Sequence, residues 1–277
     1  MELILTLDVG TTSVKACLFD RQLRQTALTS REYALQTRGV CAEVEAQVYL
    51  DAAAQCILSL PAEARARVCA VALTTQGETL LCVDRQGKAL RPAIVWLDSR
   101  AEAQAARLAA VLDRQRFYER TGLPELSGAL PLAKLLWLRE QEPESWARTD
   151  KFLLLEDYLM LWLTGRAVTE KSLLTSTGYF DLQSDDYWDE ALTLAGLDRT
   201  RLPQALACGS IVGPVLPEVA EALGLPASAC VVTGAMDQTA AALAAGCTRP
   251  GTLCETTGTA MVAAAFTAHP QFSETIM

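Results

Sequence analysis

LILTLDVGTTSVKACLFD, residues 3–20, is the stretch that decides the fold. Leu3–Leu7 is apolar and β-prone, and Ser13–Phe19 alternates enough to read as a second strand. The turn between them carries Asp8, Gly10, Thr11 and Thr12, with Ser13 and Lys15 just beyond. A glycine there lets the backbone turn tightly and approach a ligand closely. Successive N–H groups and hydroxyls can then cradle phosphate oxygens. A carboxylate beside phosphates repels them unless a cation lies between, so Asp8 points to Mg2+, held through water. The plain alternative is an ordinary hairpin of turn-prone residues. The Walker A pattern is absent.

Working outward, Arg21–Arg24 reads as a polar turn and Gln25–Arg31 as a third strand, so the chain opens with an antiparallel meander. The spacing predicts a helix over Val48–Leu60 and a buried strand over Val68–Thr74. Thr79–Asp84 and Ile94–Trp96 continue the strand signals, with a turn at Arg85–Gly87. The middle reads as helical: Ala101–Leu112, an amphipathic Pro131–Glu140, Phe152–Leu163 ending at Gly165, and Glu190–Ala195. Then come a strand Ile211–Val215, a helix Pro217–Leu223 closed by Gly224, a strand Cys230–Thr233, a turn Gly234–Met236 and an alanine-rich helix Asp237–Ala245. A final pair, Gly251–Thr256 and Ala260–Phe266, turns at Gly258. TLCETTGTAMVAAAF, residues 252–266, echoes the opening strand–turn–strand and reads as a second phosphate turn.

Composition narrows the function classes. The formal charge is −9 with no lysine or arginine cluster, which argues against nucleic acid and anionic membrane as partners. The apolar runs are too short to span a bilayer, and the N-terminus lacks the basic region of a secretory leader. Nine cysteines, none at CxxC spacing, and a single histidine predict buried, reduced thiols, no zinc site and a cytoplasmic protein. With only His269 to hand, acid–base chemistry falls to a carboxylate.

The best such carboxylate is in VVTGAMDQTAAALAAG, residues 231–246. Asp237 follows a strand and stands where a helix N-cap belongs, a place that needs no catalytic role. It also stands at the C-terminal end of a strand, where ligand clefts of α/β folds form, and there it can take a proton from a substrate hydroxyl. In TTQGETLL, residues 74–81, Gln76 and Glu78 follow a buried strand and suit a polyhydroxylated ligand, or are a solvated loop. In IVWLDSRA, residues 94–101, Trp96, Asp98 and Arg100 suit a binding wall, or a strand end with an exposed ion pair worth little.

Taken in order, these segments resemble the FGGY family of carbohydrate kinases, from Leu3 to about Phe266. LDVGTTSVKACLFD resembles the family's first phosphate motif, and ETTGTA, residues 255–260, its second. TTQGETLLCVDRQGKALRPAIVWLDSRA resembles the substrate-loop segment with its W-x-D-x-R ending. TSTGYFDLQSDDYWDEALTLAGLDRTRLP resembles the stretch before the last strand of the first domain. The segment ending in Asp237 resembles the one that carries the catalytic aspartate.

The resemblance implies a ribonuclease-H-like α/β fold, the actin and hexokinase superfold, with a mixed β-sheet flanked by helices. It implies transfer of the γ-phosphoryl group of ATP to a sugar or polyol hydroxyl, with Mg2+, and a pentulose such as xylulose is favoured. Carried over, Asp237 is the base. Asp8 is the metal residue, and Gly10, Thr11, Thr12, Ser13 and Lys15 face the nucleotide from one side. Thr256, Thr257, Gly258 and Thr259 face it from the other. Gln76, Gly77, Glu78, Trp96, Asp98, Arg100 and Gln238 fall on the sugar side. Residues 1–247 correspond to a sugar-binding N-terminal domain and residues 248–277 to the beginning of a truncated nucleotide-binding domain, so the isolated chain is expected to be inactive.

Gly77 stands where glycerol kinases carry arginine, which speaks against glycerol, and Gly77–Glu78 replaces the Met-His pair of xylulokinases. A glycerol or other polyol kinase, a non-catalytic sugar-binding or regulatory module of the same fold, and a homodimeric assembly stay open. An acetate-kinase-like or dehydratase-activator ATPase is a further reading. The activator would call for a cluster-ligating cysteine pattern, which is not evident.

Overall fold

Period-two alternation builds the opening of the chain. Strand β1, Leu3–Val9, buries Leu3, Leu5, Leu7 and Val9 and leaves Ile4, Thr6 and Asp8 half-buried between them. Strands β2, Ser13–Phe19, and β3, Gln25–Glu32, follow antiparallel, so the expected meander is present. The helix Ala46–Leu58 then packs on β2 and β3 and carries the chain over, and β4, Val68–Thr75, lies parallel to β1. Much later, β5, Ile211–Pro214, and β6, Cys230–Met236, complete a six-stranded mixed sheet in the order β5–β6–β4–β1–β2–β3. The three central strands β6, β4 and β1 are mutually parallel. Their C-terminal ends therefore open at one edge, where an α/β sheet offers its cleft. The computed structural model describes residues 2–257, 261–269, 271 and 272.

A second, five-stranded sheet joins Gln36–Arg38, Cys41–Val44, Ala93–Ile94, Leu80–Val83 and Lys151–Leu154 in antiparallel order. Two apolar cores form. One lies under the six-stranded sheet with the helices Ala46–Leu58 and Leu155–Thr164. The other surrounds the helix Pro131–Gln141, packed with Glu102–Ala109 and Asp189–Ala195.

Several expectations are corrected. Phe152–Leu163 is not one helix: Lys151–Leu154 is a strand, and the helix begins at Leu155. A continuous apolar run does not separate the two states, and the break is made by Asp157, whose carboxylate accepts the Leu154 N–H at 2.7 Å. Gly234–Met236 is not a turn, because β6 runs through Met236. Pro131–Gln141 is not amphipathic: Leu132, Ala133, Leu135, Leu136 and Leu138 are buried, and so is Lys134. Ala101–Leu112 shortens to Glu102–Ala109, and a second helix, Arg114–Thr121, follows with Asp113 capping it through the Arg116 N–H. Of the nine cysteines only Cys56 and Cys82 are buried, while Cys69 and Cys208 are exposed. The last hairpin is present as Leu253–Thr257 against Met261–Ala265.

Candidate active site

Three chain segments leave the sheet side by side. Asp8 and Ala235 both pair in register with Thr74 of β4, one from each side. The Thr74 hydroxyl donates to the Ala235 carbonyl at 2.7 Å and ties β4 to β6. Gln76, Gly77 and Glu78 follow β4 directly, and Asp237 and Gln238 follow β6. The sheet thus brings the first turn, the 76–78 loop and Asp237 to one edge.

Asp237 is the first residue of the helix Asp237–Ala244, and Met236 holds the N-cap place expected for Asp237. Its Oδ1 accepts the Gln238 N–H at 2.6 Å, and among the described residues no hydrogen bond reaches Oδ2. Burial raises its pKa above the usual carboxylate range, the Gln238 N–H opposes this, and the charge of Asp8 adds to it. A helix N-terminus favours the anion, so proton affinity and availability are balanced there.

The first turn is braced from below. Gly10 N–H donates to Ser13 O at 3.0 Å, Tyr33 N–H donates to Thr12 O at 2.9 Å, and the Tyr33 hydroxyl donates to Gly10 O. A Cβ added at Gly10 would meet only Ser13 O, at an ordinary 3.7 Å. Neither backbone conformation nor internal packing demands glycine at this position, so the free space faces outward. Lys15 reaches Asp8 at 3.4 Å, a loose and exposed contact. The Trp96 indole N–H donates to the Thr11 hydroxyl at 2.9 Å and so joins the 94–101 segment to the turn.

Glu78 holds a left-handed backbone, φ 51°, which is costly for a residue with a side chain. Burial raises its pKa, Ser176 and the Lys134 charge pull it back, and Asp237 adds to the rise. Lys134 donates to Val95 O at 2.9 Å from full burial, and that burial pushes its pKa down to about 8 against the opposing charges of Asp98 and Glu78. Gln76 is buried with Nε2 near the Tyr49 hydroxyl at 3.4 Å and Oε1 unpaired. Gln238 Oε1 is likewise buried without a partner among the described residues. Unpaired buried acceptors of this kind are expensive unless a ligand or water serves them.

Asp98 and Arg100 are engaged by the chain itself. Asp98 is fully buried and accepts the Ala42 N–H at 2.6 Å and the Arg100 N–H at 3.0 Å, with the guanidinium of Arg100 across both oxygens. Those bonds hold its pKa below the usual range despite burial. Arg100 also pairs with Glu43 at 2.8 Å and lies over the Trp137 ring at 4.9 Å. The ion pair is therefore an internal brace and not the exposed pair offered as the plain alternative. Thr256 and Thr257 are exposed, with the Thr257 hydroxyl on Glu255 at 2.7 Å. Gly258 and Thr259 lie outside the described residues.

Sequence reasoning missed Lys134, Tyr33 and Thr74, and with them Glu156, Glu170 and Ser172, which hold the backbone beside Asp237. The one available signal was a charged residue inside an apolar segment, as for Lys134 in PLAKLLWL, residues 131–138. Among the described residues no group of three or more His, Cys, Asp or Glu side chains is disposed to hold a metal. A cation at Asp8 would complete its shell with phosphate oxygens and water.

Comparison with known proteins gives the family. The model of the FGGY family of carbohydrate kinases, N-terminal domain, matches residues 3–244. A xylulose kinase of Lactococcus lactis is 32% identical over 250 residues, 89% of this chain and 50% of its own length. A gluconokinase of Bacillus subtilis is 26% identical over 276 residues, 98% of this chain and 53% of its own. The crystal structure of ligand-bound xylulose kinase from Lactobacillus acidophilus superposes with a TM-score of 0.93 at 24% identity, over 99% of this chain and 56% of that one. The chain spans about half the length of the curated relatives it matches. Its fold is the actin and hexokinase superfold that the resemblance implied, and the chain belongs to the FGGY family of carbohydrate kinases.

Proposed function

We propose that this chain is the sugar-binding portion of a cytoplasmic, ATP-dependent kinase that phosphorylates a hydroxyl of a pentulose, with xylulose favoured. The observation that carries the reading is Asp237: half-buried at the end of a central strand, with raised proton affinity and Oδ2 open, one strand removed from Asp8. The xylulose kinase at 32% identity supports the substrate class, and Gly77 in place of a glycerol-kinase arginine supports it against glycerol.

In this reading Asp237 Oδ2 accepts the proton of the substrate hydroxyl as its oxygen bonds to phosphorus. ATP would supply the γ-phosphoryl group, its bond to the β,γ-bridging oxygen breaking as ADP leaves, and Mg2+ would neutralise the charge that develops. Asp8 would hold the metal, and Thr11, Thr12, Ser13 and Lys15 would offer donors to phosphate oxygens. Thr256 and Thr257 offer hydroxyls to the nucleotide from the other side. Gln76, Glu78 and Gln238 bind sugar hydroxyls, and the unpaired oxygens of Gln76 and Gln238 are acceptors waiting for them. Gly77 keeps the loop close to Met236, while Trp96 forms a wall fixed by Thr11. Asp98 and Arg100 hold that wall from behind. Residues 1–247 make the sugar domain and residues 248–277 begin the nucleotide domain. Positioning and charge neutralisation are most of what phosphoryl transfer asks of a protein.

The outward space at Gly10 fits close approach of a phosphate. Gly10→Ala is expected to change folding stability by no more than about 0.5 kcal/mol while weakening binding of ATP at least several-fold. Urea denaturation together with calorimetric titration of Mg-ATP checks both halves. The functional reading itself is tested by melting the chain against a panel of ketoses, polyols and aldonates. A ligand selective for the folded state raises Tm, by about 2.7 kcal/mol of stability at a hundredfold excess over Kd. A rise with pentuloses supports the proposal, and no rise with any sugar contradicts it.

A further inference from the structure

The backbone that delivers Asp237 is irregular, and its irregularity is held by side chains that the site does not use. Between β6 and β4 the register passes from Val232↔Ala72 to Ala235↔Thr74, so Thr233 and Gly234 together oppose Leu73. That is a β-bulge, and a bulge takes backbone groups out of the ladder. Buried N–H groups need acceptors. Gly234 N–H finds one in Glu156 Oε1 at 3.1 Å. Met236 N–H finds one in Ser172 Oγ at 2.9 Å. Ser172 is fixed in turn by Glu170, whose Oε2 accepts the Ser172 N–H at 2.9 Å and the Ser172 hydroxyl.

Glu156 is fully buried and Glu170 nearly so. Among the described residues Glu156 Oε2 has no hydrogen-bond partner. Burial raises the Glu156 pKa well above the usual range, with Asp157 and Glu170 adding to the rise. A buried carboxyl with an unpaired oxygen is a poor choice for stability, since an apolar residue of similar volume avoids the desolvation. Its geometry serves one purpose: it pins the peptide three residues before Asp237, as Ser172 pins the peptide immediately before it.

We propose that Glu156, and Glu170 acting through Ser172, are positioning residues that fix the bulged end of β6 and thereby aim the Asp237 carboxylate. Neither glutamate touches substrate. The inference rests on the reading of Asp237 as the base, and it extends that reading to two buried side chains on other elements, the helix Leu155–Thr164 and the short strand Val168–Glu170. Glu156 acts through an accepting oxygen, Oε1 on the Gly234 N–H, and the side-chain amide of glutamine offers the same acceptor.

The test compares Glu156→Leu, Glu156→Gln, Ser172→Ala and Asp237→Asn in the full-length protein that carries this chain. kcat and sugar Kd are measured for each, with folding checked by circular dichroism. Glu156→Leu is expected to lower kcat by about 100-fold, the cost of displacing a reacting group by about 1 Å, with sugar Kd unchanged. Glu156→Gln is expected to restore most of the rate, and Ser172→Ala to lower kcat with the same kcat-only signature. A folded Glu156→Leu with unaltered kcat overturns the proposal, as does Glu156→Gln losing as much as Glu156→Leu, or kcat and Kd worsening together. If Glu156→Leu does not fold, Ser172→Ala decides in the same terms. Asp237→Asn separates the two levels. Turnover retained in that variant defeats the base assignment itself, whereas turnover lost there but kept in Glu156→Leu and Ser172→Ala defeats only the positioning.

Discussion

Gly234→Ala is expected to leave almost no folded protein. A Cβ at this position would lie 1.4 Å from Leu73 O and 2.6 Å from Leu73 C. Both are backbone atoms of a central strand, buried between β6 and β1. No rotamer change relieves the overlap, and moving Leu73 away would open the parallel pairing on both of its sides. A clash of this kind belongs with the exceptional substitutions that cost more than about 4 kcal/mol, a large part of a typical domain's total stability of about 5–15 kcal/mol. Urea denaturation followed by circular dichroism measures it, with Gly10→Ala as the matched glycine control. A cooperative unfolding transition for Gly234→Ala within about 1 kcal/mol of the parent would show that the bulge is not packed as described.

Asp237→Asn is expected to lower kcat by about 10²–10⁴-fold, the usual contribution of a positioned general base, while sugar affinity is kept. The amide preserves shape and can still accept the Gln238 N–H, so the helix start survives. What it loses is an oxygen able to take up a proton. The pH dependence carries the same signature. Asp237 has a raised pKa in the folded chain and works deprotonated, so kcat/KM falls as pH drops through a value above the usual carboxylate range. The acid limb in kcat/KM reports that group in the free enzyme. Loss of sugar affinity in parallel with kcat would point to a binding role for Asp237 instead.

Much of this architecture was legible in the residues. The apolar run Leu3–Leu7 and the alternation in Ser13–Phe19 specified two paired strands; the structure extends the first to Val9 and has the second at those same residues. Order along the chain, from the first turn through the 76–78 loop to Asp237, was enough to name the family. The misreadings have physical causes. FLLLEDYLMLWL, residues 152–163, has no period that separates strand from helix, and the boundary is set by one carboxylate–amide bond at Asp157. Gly234-Ala235-Met236 has the composition of a turn, but its glycine is there because Leu73 O approaches so closely, a contact 161 residues apart in sequence that no local reading can supply. Asp98 and Arg100 looked like an exposed pair because burial and the Ala42 N–H come from a distant strand. Lys134, Glu156 and Glu170 hid for the same reason: a charged residue in an apolar run shows its partners only after folding.

In the proposed reaction, the edge formed by β1, β4 and β6 binds a sugar, and one of its hydroxyl protons passes to Asp237. The most direct measurement is ADP release by the full-length protein with Mg-ATP and xylulose, run beside Asp237→Asn and with xylulose omitted. The expected result is release that depends on xylulose, vanishes in Asp237→Asn, and is accompanied in both proteins by the same xylulose-induced rise in Tm. Xylulose-dependent ADP release that persists undiminished in Asp237→Asn would contradict the account.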